Sequence, residues 1–230
     1  MVALVAAVFR VASAHTSLYS IGINGETNPK GKYILPYDSK PSHPVRDATL
    51  DTLRCRDKKG TSQVTESLQV VAGTQLTVEW HHYNSTETDN VISPSHRGPC
   101  LIYMAPLESN GEGFAWFKIY EQGFDAARNM WCTDIVRENH GKLSVTIPTQ
   151  INNGDYLVRA EIISLHHADL VGGAQFFPNC AKISVTGATY GKPDLYAIPG
   201  IYGINDTGIL FDRHKGGATY KLPGPPVYAP

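Results

Sequence analysis

Three separated parts of the sequence place histidine where metal chemistry is feasible, and the first is near the start. His15 follows an apolar run that ends in Ala12-Ser13-Ala14, a small-residue pattern that signal peptidase accepts. Cleavage after Ala14 would make His15 the first residue, so that its α-amine and imidazole Nδ1 could chelate one metal ion together. The α-amine has a reference pKa of about 7.7–8.0, so a metal ion can displace its proton near neutral pH.

The second histidine, His96, lies in Ser95-His96-Arg97-Gly98-Pro99, a tight turn that leads into the apolar stretch 101–105. Such a turn would hold the imidazole rigidly, with its ring free to face outward. A turn histidine bonded only to backbone is the structural alternative. A metal site therefore requires that His96 and His15 come together.

The third part is the segment between His166 and Phe177. His166 ends one predicted strand and Gln175 begins the next. A hairpin-like connection would bring His166, Gln175 and Phe177 near one point. Spacing alone leaves open that Gln175 is an ordinary polar residue of an edge strand and that His167 is merely solvated.

The elements that must position these residues are predicted to be strands. Alternating or continuous apolar character marks 16–23, 67–71, 74–80, 101–105, 115–121, 142–147, 154–165 and 175–186, and only 131–139 looks helical. Many short strands with Gly- and Pro-rich turns favour an antiparallel β-sandwich. We expect residues from 187 onward to form a long meander packed on the same sandwich.

Composition argues against several classes of partner. Lys+Arg 20 against Asp+Glu 21 gives a net charge of -1, which leaves no basic stripe for nucleic acid. No stretch reaches the roughly 18 apolar residues of a membrane helix. Charged residues make up 18% of the chain and Tyr occurs 12 times, which suits a neutral surface that meets an uncharged carbohydrate.

We interpret residues 1–14 as a signal peptide that is removed, and residues 15–230 as one secreted domain without an appended carbohydrate-binding module. The segment lacks a basic start and Arg10 interrupts it, so a buried first strand is the alternative. Two sequons, at 84–86 and 205–207, agree with secretion. So do four cysteines, for which three disulfide pairings are possible: Cys55, Cys100, Cys132 and Cys180.

Together these segments resemble one family: the fungal copper-dependent lytic polysaccharide monooxygenases of auxiliary activity family 9, formerly glycoside hydrolase family 61. The resemblance covers nearly all of residues 15–230. The ordered motifs that carry it are His15-Thr16, Pro44-Val45-Arg46-Asp47 leading to Cys55, the stretch from Asp89 to Pro99, Trp131 with Asp134, the strand from Arg159 to His166, Gly173-Ala174-Gln175-Phe176-Phe177 leading to Cys180, and Pro199-Gly200-Ile201-Tyr202.

The resemblance implies an immunoglobulin- or fibronectin-like β-sandwich with a flat face around one copper ion. It implies that His15 binds copper through its amine and Nδ1 and His96 through Nε2, a "histidine brace" of three nitrogens that suits Cu(II). His166 and Gln175 match the pair that hydrogen-bonds the oxygen co-substrate. Cys55 and Cys180 match the usual disulfide of the family.

The implied activity is oxidative cleavage of β-1,4-glucan, cellulose above all, by a secreted and monomeric enzyme. Copper reduced by an external electron donor would activate O2 or H2O2, and hydroxylation at C1 or C4 of a glucose would break the glycosidic bond. The alternative is a secreted copper- or glycan-binding protein with little or no oxidative activity. Glycoside hydrolysis needs two carboxylates, and Glu161, the most suggestive acid, has no evident partner in the sequence.

Two features depart from the family pattern. Phe177 stands at the axial copper position, where most members have Tyr, so that position would carry no hydroxyl. Cys100 and Cys132 replace aliphatic or small residues, and we expect them to form an extra disulfide, the alternative being two buried thiols.

Three residues match or suggest sugar contacts on the flat face: Tyr202, His82 and Tyr33. Aromatic rings stack on the apolar faces of pyranoses. A packed or merely exposed side chain is the alternative for each.

Overall fold

The computed structural model describes residues 16–36, 42–56, 64–82 and 91–230. His15, the preceding segment 1–14 and the sequon at 84–86 lie outside these residues. In the described ranges no helix is both long and apolar enough to cross a membrane. The strands are β1 (Ser17–Ile23), β2 (Leu68–Val71), β3 (Gln75–His81), β4 (Cys100–Pro106), β5 (Phe114–Gln122), β6 (Phe124–Asp125), β7 (Met130–Trp131), β8 (Lys142–Thr146), β9 (Gly154–Ser164), β10 (Gln175–Thr186) and β11 (Tyr196–Ala197), and the α-helices are α1 (Thr52–Cys55) and α2 (Cys132–Glu138).

The long strands form two sheets that pack face to face. One sheet has the order β1-β3-β8 and the other the order β11-β5-β4-β9-β10-β2. All pairings within these sheets are antiparallel except that of β10 with β2, which is parallel. The predicted β-sandwich is confirmed, and its strands lie at the predicted segments with ends that differ by one or two residues.

Apolar side chains from both sheets fill the space between them. Leu76, Val78 and Trp80 of β3 share the predicted face and are fully buried. They belong to one core cluster with Ile102 of β4 and Ile162 of β9. The alternation of apolar residues along β3 has a simple cause: side chains two residues apart point to the same face of a strand.

The outer face of the larger sheet carries a second apolar cluster, which explains the continuous apolar character of β4. Leu101 and Tyr103 point away from the first core and pack with Ile198, Tyr202 and Ile209 of the tail. The predicted meander therefore covers the sheet from outside, and β4 is buried on both faces.

Two disulfides tie loops and helices to the sheet. Cys55, at the end of α1, is joined to Cys180 of β10, and Cys100 of β4 is joined to Cys132 of α2. These are the pairs that the sequence analysis favoured. With a separation of 125 residues, the first bridge restricts the unfolded chain enough to contribute about 4–5 kcal/mol.

Candidate metal centre

The histidines of two distant segments meet at one end of the sandwich because the turn before β4 is bonded to the end of β9. The Leu165 N–H donates to the Arg97 carbonyl at 2.9 Å, and the Ile163 N–H to the Pro99 carbonyl at 3.1 Å. Gly98 permits this approach, since a Cβ there would lie 1.9 Å from the Ile163 oxygen. The 93–99 turn therefore lies directly against the residues that precede His166.

The imidazoles of His96 and His166 face each other. Their ring centroids are 4.1 Å apart, with 27° between the ring planes. The Ser95 Oγ lies 3.1 Å from the His96 Nδ1. When Nδ1 carries the proton and donates to Ser95, Nε2 of His96 is the ring nitrogen that carries the lone pair a metal ion requires.

His166 is held from both sides of its ring. The Ser164 Oγ lies 2.8 Å from its Nδ1. The Gln175 Nε2 lies 3.5 Å from its Nε2, because antiparallel pairing sets Gln175 opposite Ser164. The structure thus brings together His96, His166 and Gln175. His96 comes from the predicted turn, and His166 and Gln175 come from the two ends of the predicted hairpin-like connection.

Gln175 supplies an observation that tests whether the residues fit a bound polar group. Its side chain is buried, and its Oε1 accepts no hydrogen bond from any residue in the described part of the chain. A buried acceptor without a donor costs about 1–3 kcal/mol, so such atoms in folded proteins point to a ligand or solvent molecule. The orphaned oxygen belongs to a side chain next to His166, whose ring stacks on His96, and it fits a copper site with an oxygen co-substrate.

The described residues do not by themselves complete a metal site. Within 16–36, 42–56, 64–82 and 91–230, no three His, Cys, Asp or Glu side chains are grouped so as to hold a metal ion. His15, the remaining predicted ligand, lies outside these ranges. The nearest described residue, Thr16, is fully buried at the start of β1.

Phe177 is buried next to the histidine cluster. Its side chain is fully buried, and its ring centroid is 6.2 Å from that of His96. The neighbouring Phe176 points to the opposite face of β10 and belongs to the second apolar cluster. Alternation along the strand therefore directs Phe177, and not Phe176, toward the centre.

The prediction that Tyr202 contacts sugar is wrong. Its side chain is 5% exposed, its ring stacks on Phe176 at 5.6 Å, and its hydroxyl donates to the Glu161 carboxylate at 2.6 Å. Burial and then the charge of Glu161 raise the pKa of Tyr202 well above its ordinary value. A ring packed in this way has no face for a pyranose.

The other two predicted sugar contacts are also poorly placed for that role. His82 is only 6% exposed, so its ring offers no broad face to a sugar. The Tyr33 carbonyl accepts from the Lys182 N–H. Lys182 lies seven residues along β10 from Gln175, or roughly 23 Å at the rise of a β-strand. The structure does not bring Tyr33 to the histidine cluster.

Glu161 pairs with a basic side chain, that of Arg159, which was not evident as its partner from the sequence. Arg159 donates to both carboxylate oxygens of Glu161, at 2.8 and 2.5 Å, and both side chains are fully buried. Burial lowers the pKa of Arg159, but the Glu161 carboxylate, Tyr202 and Tyr103 together outweigh burial and leave the pKa raised. A carboxylate engaged in this way is a structural ion pair, not one half of a hydrolytic acid pair.

The sequence analysis missed Ser95 and Ser164 as residues that orient the two imidazoles. The signal for Ser164 was its spacing, since residues two apart at a strand end share a side. Ser95 immediately precedes His96 in the turn, a position from which a hydroxyl reaches Nδ1.

Comparisons with known proteins agree with this geometry. The sequence profile of Auxiliary Activity family 9 (formerly GH61) matches residues 15–220. The chain is 38% identical over 226 residues to "AA9 family lytic polysaccharide monooxygenase A" of Aspergillus niger, covering 97% of this chain and 54% of that protein. The chain thus spans about half the length of this curated relative.

Solved structures share the fold. The structure titled "CvAA9A" superposes with a TM-score of 0.85 at 32% identity, covering 93% of this chain and 98% of that one. A cellulose-active polysaccharide monooxygenase from M. thermophila superposes with a TM-score of 0.74 at 28% identity, covering 93% and 99% of the two chains.

Proposed function

The chain belongs to Auxiliary Activity family 9, and from that premise we propose that it is a secreted, copper-dependent lytic polysaccharide monooxygenase. Its substrate is a β-1,4-glucan, and cellulose is the main candidate. The reaction hydroxylates C1, C4 or both carbons of a glucose unit, after which the glycosidic bond breaks. The observation that carries the proposal is the cluster of His96, His166 and Gln175, with the buried Gln175 Oε1 left without a donor among the described residues.

In this proposal His15 and His96 hold the copper ion. Removal of residues 1–14 gives His15 the α-amine that, with its imidazole, provides two of the three nitrogens. Copper bound there supplies one-electron redox chemistry toward O2 or H2O2 once an external reductant has delivered an electron.

The surrounding side chains bind and orient the co-substrate. His166 and Gln175 each present a polar atom toward the same space, so together they fix the position of a small oxygen molecule. Ser164 holds the Nδ1 side of the His166 ring, which leaves Nε2 directed at Gln175. Phe177 excludes water from beneath the cluster, because its ring is apolar and fully buried.

The substrate assignment is supported by the composition and by the relatives. A net charge of -1 fits an uncharged polymer, and a structure 28% identical to this chain is titled a cellulose-active polysaccharide monooxygenase. No deep pocket is needed, because a polymer lies along the surface beside the cluster.

The test is incubation of the secreted protein with cellulose, copper and a reductant, followed by mass spectrometry of the products. We expect oxidised oligosaccharides that disappear when a copper chelator is added. Neutral oligosaccharides that persist in chelator would indicate hydrolysis and refute the proposal. Intact-mass analysis must also give His15 as the first residue, since any other start removes the amine ligand.

One observation favours a second candidate, a copper- or glycan-binding protein with little oxidative activity. Phe177 has no hydroxyl beside His96, where most of the family has Tyr. Tight copper binding without any oxidised product from cellulose, xyloglucan or other β-glucans would support this candidate.

A further inference from the structure

The end of the sandwich opposite the histidine cluster carries a groove that the proposed function does not use. β4 and β9 run between the two ends, with Cys100 beside Ile162 near the cluster and Pro106 beside Tyr156 at the far end. Six residues of strand separate Ile162 from Tyr156, which corresponds to roughly 20 Å. A ligand at the far end is therefore well beyond contact with His166.

The groove is made of three connected concavities, which we call together the distal groove. Their volumes are about 510, 210 and 350 Å³. Pro106, Asn152 and Tyr156 line the first and second, whereas Phe117 and Lys192 line the second and third. The shared lining residues show that the three concavities lie side by side, and each of the two larger ones has the volume of a small-ligand site.

Tyrosines are among the residues that line the distal groove, and hydrogen bonds fix two of them. The Tyr156 hydroxyl donates to the Asn152 carbonyl and the Tyr228 hydroxyl to the Gln150 carbonyl, both at 2.8 Å. Both rings pack edge-on against Phe117. The walls are therefore formed before any ligand arrives, which reduces the entropy lost on binding.

Tyr190 is the exposed aromatic residue of this groove. Its side chain is 77% exposed, although the chain on both sides is fixed. The Thr189 N–H donates to the Thr149 carbonyl at 2.8 Å, and Gly191 approaches the Gln150 carbonyl so closely that a Cβ would lie 1.7 Å from it. The backbone thus presents the Tyr190 ring to solvent at a fixed place.

The charges around the distal groove indicate what it does not bind. Three exposed acids border it, namely Glu108, Asp155 and Asp194, against one exposed base, Lys192. The other lysine, Lys118, is buried and bonded to Glu121 and a backbone carbonyl. This excess of acidic side chains disfavours phosphates and polyanions.

We propose that the distal groove binds an uncharged oligosaccharide. Tyr190 stacks on the apolar face of a pyranose ring, and Asn152 with the bordering carboxylates hydrogen-bonds its hydroxyls. The groove and the histidine cluster lie toward opposite ends of the strands, so they are separate sites. This site requires no copper and stands apart from the oxidation proposed above.

The test is calorimetric titration with the uncharged sugar cellohexaose, carried out on the full chain in a His96→Ala background that removes the proposed copper site. We expect Tyr190→Ala to weaken the binding that survives in a His96→Ala variant by about tenfold, because a stacking face is lost. Tyr190→Phe keeps the ring and should stay within about twofold. Phe114→Ala is the matched control, since Phe114 is also 77% exposed but does not line the groove.

Two results would overturn the proposal. One is equal cellohexaose affinity of the His96→Ala protein with and without the Tyr190→Ala change. The other is binding of an anionic oligogalacturonate as tight as that of cellohexaose, which contradicts the charge argument. The His96→Ala variant also distinguishes failure of this proposal from failure of the proposed oxidation. If it loses oxidation but still binds cellohexaose, the sugar site in the distal groove is supported. If it binds no cellohexaose, the sugar site in the distal groove is refuted.

Discussion

The Tyr202 hydroxyl donates to the Glu161 carboxylate at 2.6 Å and lies 3.0 Å from the Tyr103 hydroxyl, in a fully desolvated place. This contact links the tail to the central strand β9. Glu161 also forms its ion pair with Arg159 there, so every group in the network has a partner of complementary character. The tail is thereby fixed by polar as well as apolar contacts.

Replacing Tyr202 by Phe should lower stability without affecting the sugar surface. The change removes a hydrogen bond to a buried carboxylate and should cost about 1–3 kcal/mol in the free energy of unfolding, measured by denaturant titration. Cellulose binding measured by depletion should stay unchanged. Weaker cellulose binding at unaltered stability would restore Tyr202 as a sugar contact.

The two clustered histidines should differ in what their removal does. His96→Ala should weaken copper binding by at least about 100-fold, because a ligand is lost, whereas His166→Ala should change it less than about tenfold. Both should abolish most oxidised product. Calorimetry with Cu(II) and product analysis separate the two effects.

Ser164→Ala serves as the graded variant in that series, because Ser164 only orients the His166 ring. It should retain copper affinity and lose part of the oxidised product. His214→Ala, at an exposed position in the tail, is the control and should change neither quantity. Equal loss of copper affinity in the His96 and His166 variants would contradict the division of roles.

Phe177→Tyr should alter the electronic structure of bound copper. A hydroxyl oxygen added at Phe177, beside His96, would stabilise Cu(II) held there and lower its reduction potential. Electron paramagnetic resonance and potentiometry measure the change. Phe176→Tyr adds the same atom on the opposite face of β10 and should leave the copper spectrum as it is. An unchanged spectrum in a folded Phe177→Tyr protein would place Phe177 away from the metal.

Glu79 should contribute a pH-dependent part of the stability. Its carboxylate lies 2.7 Å from the His81 Nε2 and accepts from the Thr27 hydroxyl at 2.6 Å. Burial raises the pKa of Glu79, but the hydrogen bonds from His81 and Thr27 together outweigh it, so the net pKa is lowered. Because the pKa is lowered, the stabilisation by the Glu79 carboxylate is complete above the pKa of the unfolded state, about 4.3. It is lost as the pH falls through the pKa of the folded state.

The free energy of unfolding of Glu79→Gln, compared with that of the unchanged protein, measures this contribution. We expect a deficit of about 1–3 kcal/mol at pH 6.5, which narrows as the pH falls below about 4. Glu66→Gln, at an exposed position, should show no such trend. A deficit that is constant down to pH 3 would show that Glu79 acts through packing and not through its charge.

The sequence by itself determined the local elements and the chemistry available. Alternation over β3 and apolar character over β4 followed from the period of a strand, which depends only on neighbouring residues. The metal-site hypothesis began from His15, His96 and the interval from His166 to Gln175, and the resemblance to the family favoured it over the structural alternatives for these residues.

The tertiary structure decided which surfaces each side chain meets. Tyr202 was predicted to contact sugar because it matches a surface aromatic residue of the family, yet the tail folds back on the outer face of the larger sheet and buries it. Glu161 lacked a partner in sequence, but Arg159, two residues away on the same side of β9, pairs with it once both leave water. Burial depends on contacts between distant segments, and local patterns do not contain them.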